Sequence, residues 1–320
     1  MLTLPIHFAP YLKKVIWGGD KIAPLKNIAT SLTSIGESWE ISAVPGHESI
    51  VDEGPLKGKK LTDLCLEYGA GLLGTAVTER YGTDFPLLIK IIDAARDLSV
   101  QVHPDDELAM KRAGTRGKTE MWHVLSTEPG ARIHVGLRRK LTSDELMKLV
   151  EEKQIMDAVA SYESKSGDTF FIPAGRIHAI GAGNLLVEIQ ESSDITYRLY
   201  DYDRRSADGK TRELHLAEAC DAIDYTVSAD YRNAPLRHEA TETLVDCPMF
   251  TTVRHEITDD LPLGNDSRSF MVVINLGNDA HLTWQGGETT LRRGNSLLLP
   301  ASMSEMTVCG PATLLAVTVK

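Results

Sequence analysis

Hydrophobic and polar positions alternate with a period of two over many short stretches of this chain. SWEISAVPG, PLLIKIID, LSVQVHP, MWHVLS, RIHVGL, DTFFIPAG, NLLVEIQES and DITYRLYDYD form a first series. After the polar stretch YRNAPLRHEAT, a second series follows in MFTTVRHEI, SFMVVINLG, AHLTWQGG, TTLRRG and SLLLPAS. Runs of this kind, cut by Gly, Pro and Asn, predict strands, and their regular spacing predicts a sandwich, jelly roll or barrel. Three segments change to a helical period. They are LTDLCLEYGAGLLGTAVTERYG, weakened by glycine; LTSDELMKLVEEKQIMDAVASY, which opens on a Thr142-x-x-Glu145 capping box; and the short amphipathic ELHLAEACDAIDY. The expected fold is mainly β, with short helical excursions.

The two series share a pattern. GDTFFIPAGRIH (Gly167 to His178) and GNSLLLPASMSE (Gly294 to Glu305) each hold a glycine, a strand-like run, a proline and a small residue. Five positions past the proline stands His178 in the first copy and Glu305 in the second. This predicts two related β-barrels, a metal-binding catalytic domain over 1–235 and a C-terminal β domain over 236–320 without metal ligands.

Polar residues inside the alternating runs mark the chemistry. Gln101 and His103 are two apart, so on a strand they share one face, and Pro104 ends the ladder there. In KTEMWHV, Lys118, Glu120 and Trp122 also fall on one face. With His178 after the IPAG turn, Gln101, His103 and Glu120 make a donor set of nitrogen and oxygen without sulfur, suited to zinc or another borderline divalent metal. The same set suits a non-haem iron oxygenase or a sugar-binding module without turnover. His7, His47, His123, His134, His215, His238, His255 and His281 lack such company and are expected to be surface or hydrogen-bonded core residues.

Composition narrows the partners. The chain has 320 residues, 42% apolar, with no uninterrupted apolar run long enough to span a membrane, and its N-terminus meets an early proline. A cytoplasmic location is the default expectation. Four cysteines, scattered without CxxC spacing, argue against a thiolate zinc site and a disulfide framework. A net charge of −11 disfavours nucleic acid and anionic membranes, so an anionic small molecule would need local cations to enter a pocket. Sequence alone supports no more than a monomer or weak homo-oligomer.

GDTFFIPAGRIHAIGAGN resembles the second cupin motif, with five residues instead of three between His178 and Asn184. GESWEIS, FPLLIKIIDAARDLSVQVHPDD, GKTEMWHV and IPAGRIHAIGAGNLLVEIQESSDITYRLYDYDR, in this order, resemble the type I mannose-6-phosphate isomerases of the cupin superfamily, in their short bacterial form. The resemblance implies a bicupin-like pair of jelly-roll barrels and a zinc-dependent aldose-ketose isomerase of mannose metabolism. Its substrates would be mannose 6-phosphate and fructose 6-phosphate, interconverted through an enediol. It implies one Zn2+ per chain on Gln101, His103, Glu120 and His178, with Gln101 alternatively supporting from behind. Arg198 in SSDITYR and Lys118 match the family's arginine and lysine, and are expected to be catalytic and to bind the sugar phosphate. Glu188 aligns with the family's glutamate after one extra residue, and it and a metal-bound water are the candidates for the base. Trp17, Trp39 and Trp122 are candidates to wall the sugar. Longer relatives continue past the arginine with a glycine and a threonine-proline-lysine segment; here LYDYDR stands instead, so no phosphate contact transfers from that segment.

Overall fold

The computed structural model describes residues 2–205, 209–233, 236, 237 and 239–320. His238, expected to be a surface or core residue, and Pro235, at the expected domain boundary, lie outside the described residues. Four antiparallel sheets make two barrels. In the first barrel, one sheet runs Thr169–Ile172, Glu120–Thr127, Asn184–Glu191, Leu87–Ala94, extended by Tyr11–Gly19 and Ile35–Ile41. The facing sheet runs Tyr197–Tyr200, Val100–Val102, His178–Ile180, Arg132–Leu137, Val159–Glu163.

The second barrel repeats both orders. Its sheets run Ser296–Leu299, Met271–Asn275, Ala312–Thr318, Thr251–Ile257 and Leu261–Gly264, Glu305–Cys309, Ala280–Trp284, Gly287–Leu291. The sequence repeat is therefore also a repeat of topology. In each copy a positive-φ glycine (Gly167 at 89°, Gly294 at 73°) leads into a four-residue strand, a proline and the next strand, which opens on His178 or Glu305.

The barrels meet through the outer faces of their larger sheets. Ile89, Ile91, Val187, Ile189 and Met121 from the first join Val272, Ile274, Leu315 and Val317 from the second in one apolar cluster. Alternate residues of the same strands fill the first barrel, among them Ile92, Leu186, Trp122 and Val124. Burial on both faces explains why Leu87–Ala94 and Asn184–Glu191 are buried at every position. The helices Ser143–Glu151 and Leu216–Ala222 cover the outside of the smaller sheet, adding Leu146, Val150 and Ala219 to a separate cluster.

The local differences from expectation have identifiable causes. The capping box forms, but its helix stops at Glu151, and Val159–Glu163 is a strand edge. The glycine-rich segment breaks into Leu61–Tyr68, Ala70–Leu73 and Thr75–Tyr81 at Gly69 and Gly74. Gly74 takes φ 98°, and a Cβ there would lie 2.3 Å from the Arg268 carbonyl oxygen, so no other residue fits without a shift. The N-terminal strand Ile6–Ala9, assigned by sequence to the catalytic domain, pairs instead with Ser296–Leu299 of the second barrel, Ile6 opposite Leu298. Its alternation buries Ile6 and Phe8 in the inter-barrel cluster, which fixes it there.

Candidate metal centre and cavity

Register assembles the site. Gln101 lies opposite His178 on one side and Arg198 on the other, so three adjacent strands present a row of His, Gln and Arg to the same face. Across the barrel, Glu188 is opposite Trp122 on one neighbour and Lys90 on the other, and Lys90 is opposite Trp39. Glu120 opens its strand opposite Ile172, the residue before Pro173. The proline turn that follows carries the chain to His178, and Gly175 of that turn donates its N–H to the His103 carbonyl at 2.8 Å.

His103, Glu120 and His178 converge, one ligand atom from each lying within 4.8 Å of the others, all three buried. Each imidazole has its tautomer fixed from behind. His178 Nδ1 lies 2.8 Å from the Arg176 carbonyl and His103 Nδ1 lies 2.9 Å from that of Ile195. A carbonyl only accepts, so Nδ1 carries the proton and the Nε2 lone pair points inward. His103 Nε2 is 3.5 Å from Glu120 Oε2, and His178 Nε2 is 3.5 Å from Glu120 Oε1. Glu120 Oε1 is buried without a hydrogen-bond partner. Two imine lone pairs and an unpartnered carboxylate oxygen thus face one point, an arrangement of acceptors that a divalent cation satisfies. Burial holds the His178 imidazole down to about 3 and His103 well below its ordinary value, so both are neutral, as ligands must be. Gln101 stands beside them: its Nε2 is 3.2 Å from His178 Nε2 and its Oε1 accepts from Ser99 Oγ at 3.1 Å. Ligation through its oxygen would require the amide to turn over.

A belt of charge surrounds this floor. Lys118 Nζ touches Glu120 Oε2, lies 3.0 Å from His103 Nε2, and is 3.9 Å from Glu188. Lys90 donates to Glu188 at 3.1 Å and lies 3.8 Å from Glu37. The indole N–H groups of Trp122 and Trp39 donate to Glu188 at 3.0 Å and to Glu37 at 2.6 Å. Burial alone pushes the Glu188 carboxyl up, but Lys118 and Lys90 more than reverse this and bring it to about 2. Glu120 is raised, by burial first and by the neighbouring Glu188 second.

A cavity of about 250 Å³ opens above the floor, lined by the predicted Trp17, Gln101, Lys118, Glu188 and Arg198. Lys13, Lys90 and Arg212 also line it. Trp39 and Trp122 are buried beside it; the Trp122 ring lies edge-on to His178, centroids 5.3 Å apart. Arg198 has a buried Nε without a hydrogen-bond partner and, among the described residues, makes no ion pair. Burial and the adjacent Arg212 guanidinium both lower its pKa. Sequence reasoning passed over Lys90, although a lysine inside PLLIKIID, buried on both faces, was a visible signal. Arg212 carried no such signal. Asn184, displaced in the cupin motif, is buried and serves the turn before it: its Nδ2 donates to the Gly181 and Arg132 carbonyls at 2.8 and 3.0 Å.

The likeness to known proteins covers both barrels. Residues 6–156 match the family model for the phosphomannose isomerase type I catalytic domain, and residues 240–319 match that for the mannose-6-phosphate isomerase cupin domain. A mannose-6-phosphate isomerase of Bacillus subtilis is 35% identical over 98% of each chain, and one of Streptococcus mutans is 33% identical over 98% of this chain and 97% of its own. The crystal structure of the mannose 6-phosphate isomerase from Bacillus subtilis superposes with a TM-score of 0.88 at 32% identity, covering 98% of this chain and 99% of that one. Among the described residues no helix is long and apolar enough to cross a membrane. Matched along its whole length by such relatives, with a buried His-Glu-His cluster beneath a cationic cavity, the chain belongs to the type I phosphomannose isomerases.

Proposed function

We propose that this isomerase interconverts mannose 6-phosphate and fructose 6-phosphate through an enediol, with one zinc ion held by His103, Glu120 and His178 and with Gln101 as a fourth donor. The observation that carries the reading is the unpartnered Glu120 Oε1 facing two imine lone pairs below a cavity lined by cations. A zinc ion bound there would act as a Lewis acid on the substrate oxygens and so acidify the C–H next to the carbonyl. Around it, the chain's own residues divide the remaining work. Lys118 contacts Glu120 Oε2 and the His103 nitrogen that the ion would take, so with an ion bound the ammonium would be freed from His103 to face the substrate. Arg198, with a free buried donor, receives anionic oxygen. Trp17 walls the cavity.

Glu188 fits a positioning role better than that of base. Both its oxygens are engaged, by Lys90 and by Trp122, and a carboxyl held at about 2 is a weak proton acceptor. It pairs with Lys90 and Lys118 and so holds both ammonium groups along the cavity. Residues 1–235 are proposed as the catalytic unit, and 236–320 as its structural complement. A coupled assay for fructose 6-phosphate formed from mannose 6-phosphate, before and after chelation and zinc return, tests the reading. Turnover lost on chelation and restored by zinc is expected, and no turnover with metal restored overturns it. Oxygen consumption by an iron-loaded preparation would favour an oxygenase instead, a reading that gives Lys118 and Arg198 no task.

A further inference from the structure

We propose that Arg212 is a phosphate-binding residue of this cavity, paired with Arg198 to grip the dianionic end of the sugar phosphate proposed above as substrate. After the strand Tyr197–Tyr200, Tyr202 and Asp203 take positive φ (56° and 52°) and the chain reverses. The returning segment is fastened to the strand it left: His215 N–H donates to the Arg198 carbonyl at 2.8 Å, and Arg198 N–H donates to His215 Nδ1 at 3.3 Å. Three residues earlier, Arg212 is thereby delivered to the same cavity as Arg198.

Its guanidinium is oriented before any ligand arrives. Arg212 Nε and Nη2 donate to the two oxygens of Asp201 at 2.7 and 2.5 Å, and Arg204 holds the same carboxylate from another side. Both contacts use one edge of the planar fork, so Nη1 and the second proton of Nη2 are directed away from Asp201. Arg198 supplies the complement, a cation that among the described residues makes no ion pair and has a buried N–H without an acceptor. Two guanidiniums lining one cavity, one held by Asp201 and the other near Asp194 but in no ion pair among the described residues, form a receptor for a group that brings two negative charges and several acceptor oxygens. Arg212 is assigned to the phosphate and not to the reacting carbons, since its fork is held by Asp201 beside Arg198.

The test uses the full-length, metal-loaded enzyme, with inorganic phosphate as the probe beside mannose 6-phosphate. Arg212→Gln is expected to raise KM and the phosphate inhibition constant together by about tenfold or more, with kcat within about threefold and metal content unchanged. Asp201→Asn keeps the Arg212 charge but removes the carboxylate that orients its fork, and is expected to raise both constants by about threefold. Wild-type constants in Arg212→Gln, or a fall in kcat with the phosphate constant unmoved, overturn the assignment. If Arg212→Gln does not fold, wild-type constants in both Arg212→Lys and Asp201→Asn overturn it equally. If the wild-type protein shows no turnover, the isomerase reading fails separately, and calorimetric phosphate binding by wild type and Arg212→Gln still decides the arginine pair.

Discussion

The two barrels share a strand order and differ in what fills them. Register lines up their interiors position by position. Glu120 and Met271 both stand opposite the last residue before the turn proline, Ile172 and Leu299. From those anchors the pairings match Trp122 to Val273, Glu188 to Ala316 and Lys90 to Val253. In the first barrel these positions form a hydrogen-bonded charge belt; in the second they adjoin an apolar interior of Leu282, Leu297, Met303 and Met306. Where His178 is buried, Glu305 is exposed, and Met306 points inward beside it. One backbone thus supports two interiors, and the chemistry depends on a handful of side chains that the fold itself does not require.

The largest expected effect separates ligand from cation within the first barrel. His178→Ala should strip the metal and cut turnover by roughly a thousandfold or more, whereas Arg198→Ala should lose about a hundredfold in turnover with metal retained. Metal analysis beside kinetics distinguishes them, and equal metal loss in both would make Arg198 a structural residue. Next in size is a conversion of the first interior toward the second. Lys90→Met alone leaves Glu188 buried without its nearest cation and should destabilise the fold by about 3–5 kcal/mol in urea unfolding, whereas Lys90→Met with Glu188→Leu should recover most of that loss without recovering activity. Failure of the pair to recover would mean that the belt holds the barrel together as well as serving the cavity.

The same pair predicts a pH effect. Glu188 titrates at about 2 in the folded chain against an ordinary value of 4.5, so its stabilisation is present above pH 4.5 and disappears as pH falls toward 2. Unfolding midpoints at pH 5 and pH 3 should therefore differ more for wild type than for the double variant. In the second barrel, Met306→Ala should cost about 2–4 kcal/mol through the cavity it leaves, with kcat of the folded protein unchanged. Smallest of all, Glu305→Ala should alter neither melting temperature nor turnover. A loss of activity there would break the division of labour between the barrels.

Much of this site was legible because polar residues stood out in runs that had to be buried. Gln101, His103, Glu120 and His178 interrupt alternating strands, and the period of two paired Gln101 with His103; that His178 and Arg198 flank Gln101 on the neighbouring strands emerges only from the register. The duplicated Gly-to-Pro pattern announced the second barrel before any pairing was known. Arg212 was not legible, since its place depends on a chain reversal held by backbone contacts to Arg198. The helix Asp106–Ala113 also escaped notice, because its charges surround a single buried residue, Ala109, although Asp105 caps it by accepting from Leu108 N–H at 2.8 Å. The strand Ile6–Ala9 is short and local pattern gives no hint that its partner lies at the other end of the chain.

That pairing bears on the order in which the molecule can assemble. During synthesis Ile6–Ala9 emerges long before its partner Ser296–Leu299, so the sheet of the second barrel cannot take up this strand until the whole first barrel has been made. Contacts so distant in sequence slow folding, and until they form, the edge of Ser296–Leu299 stands open to other strands. A chaperone that shields this late edge would raise the yield of native enzyme without touching the barrel that carries the chemistry.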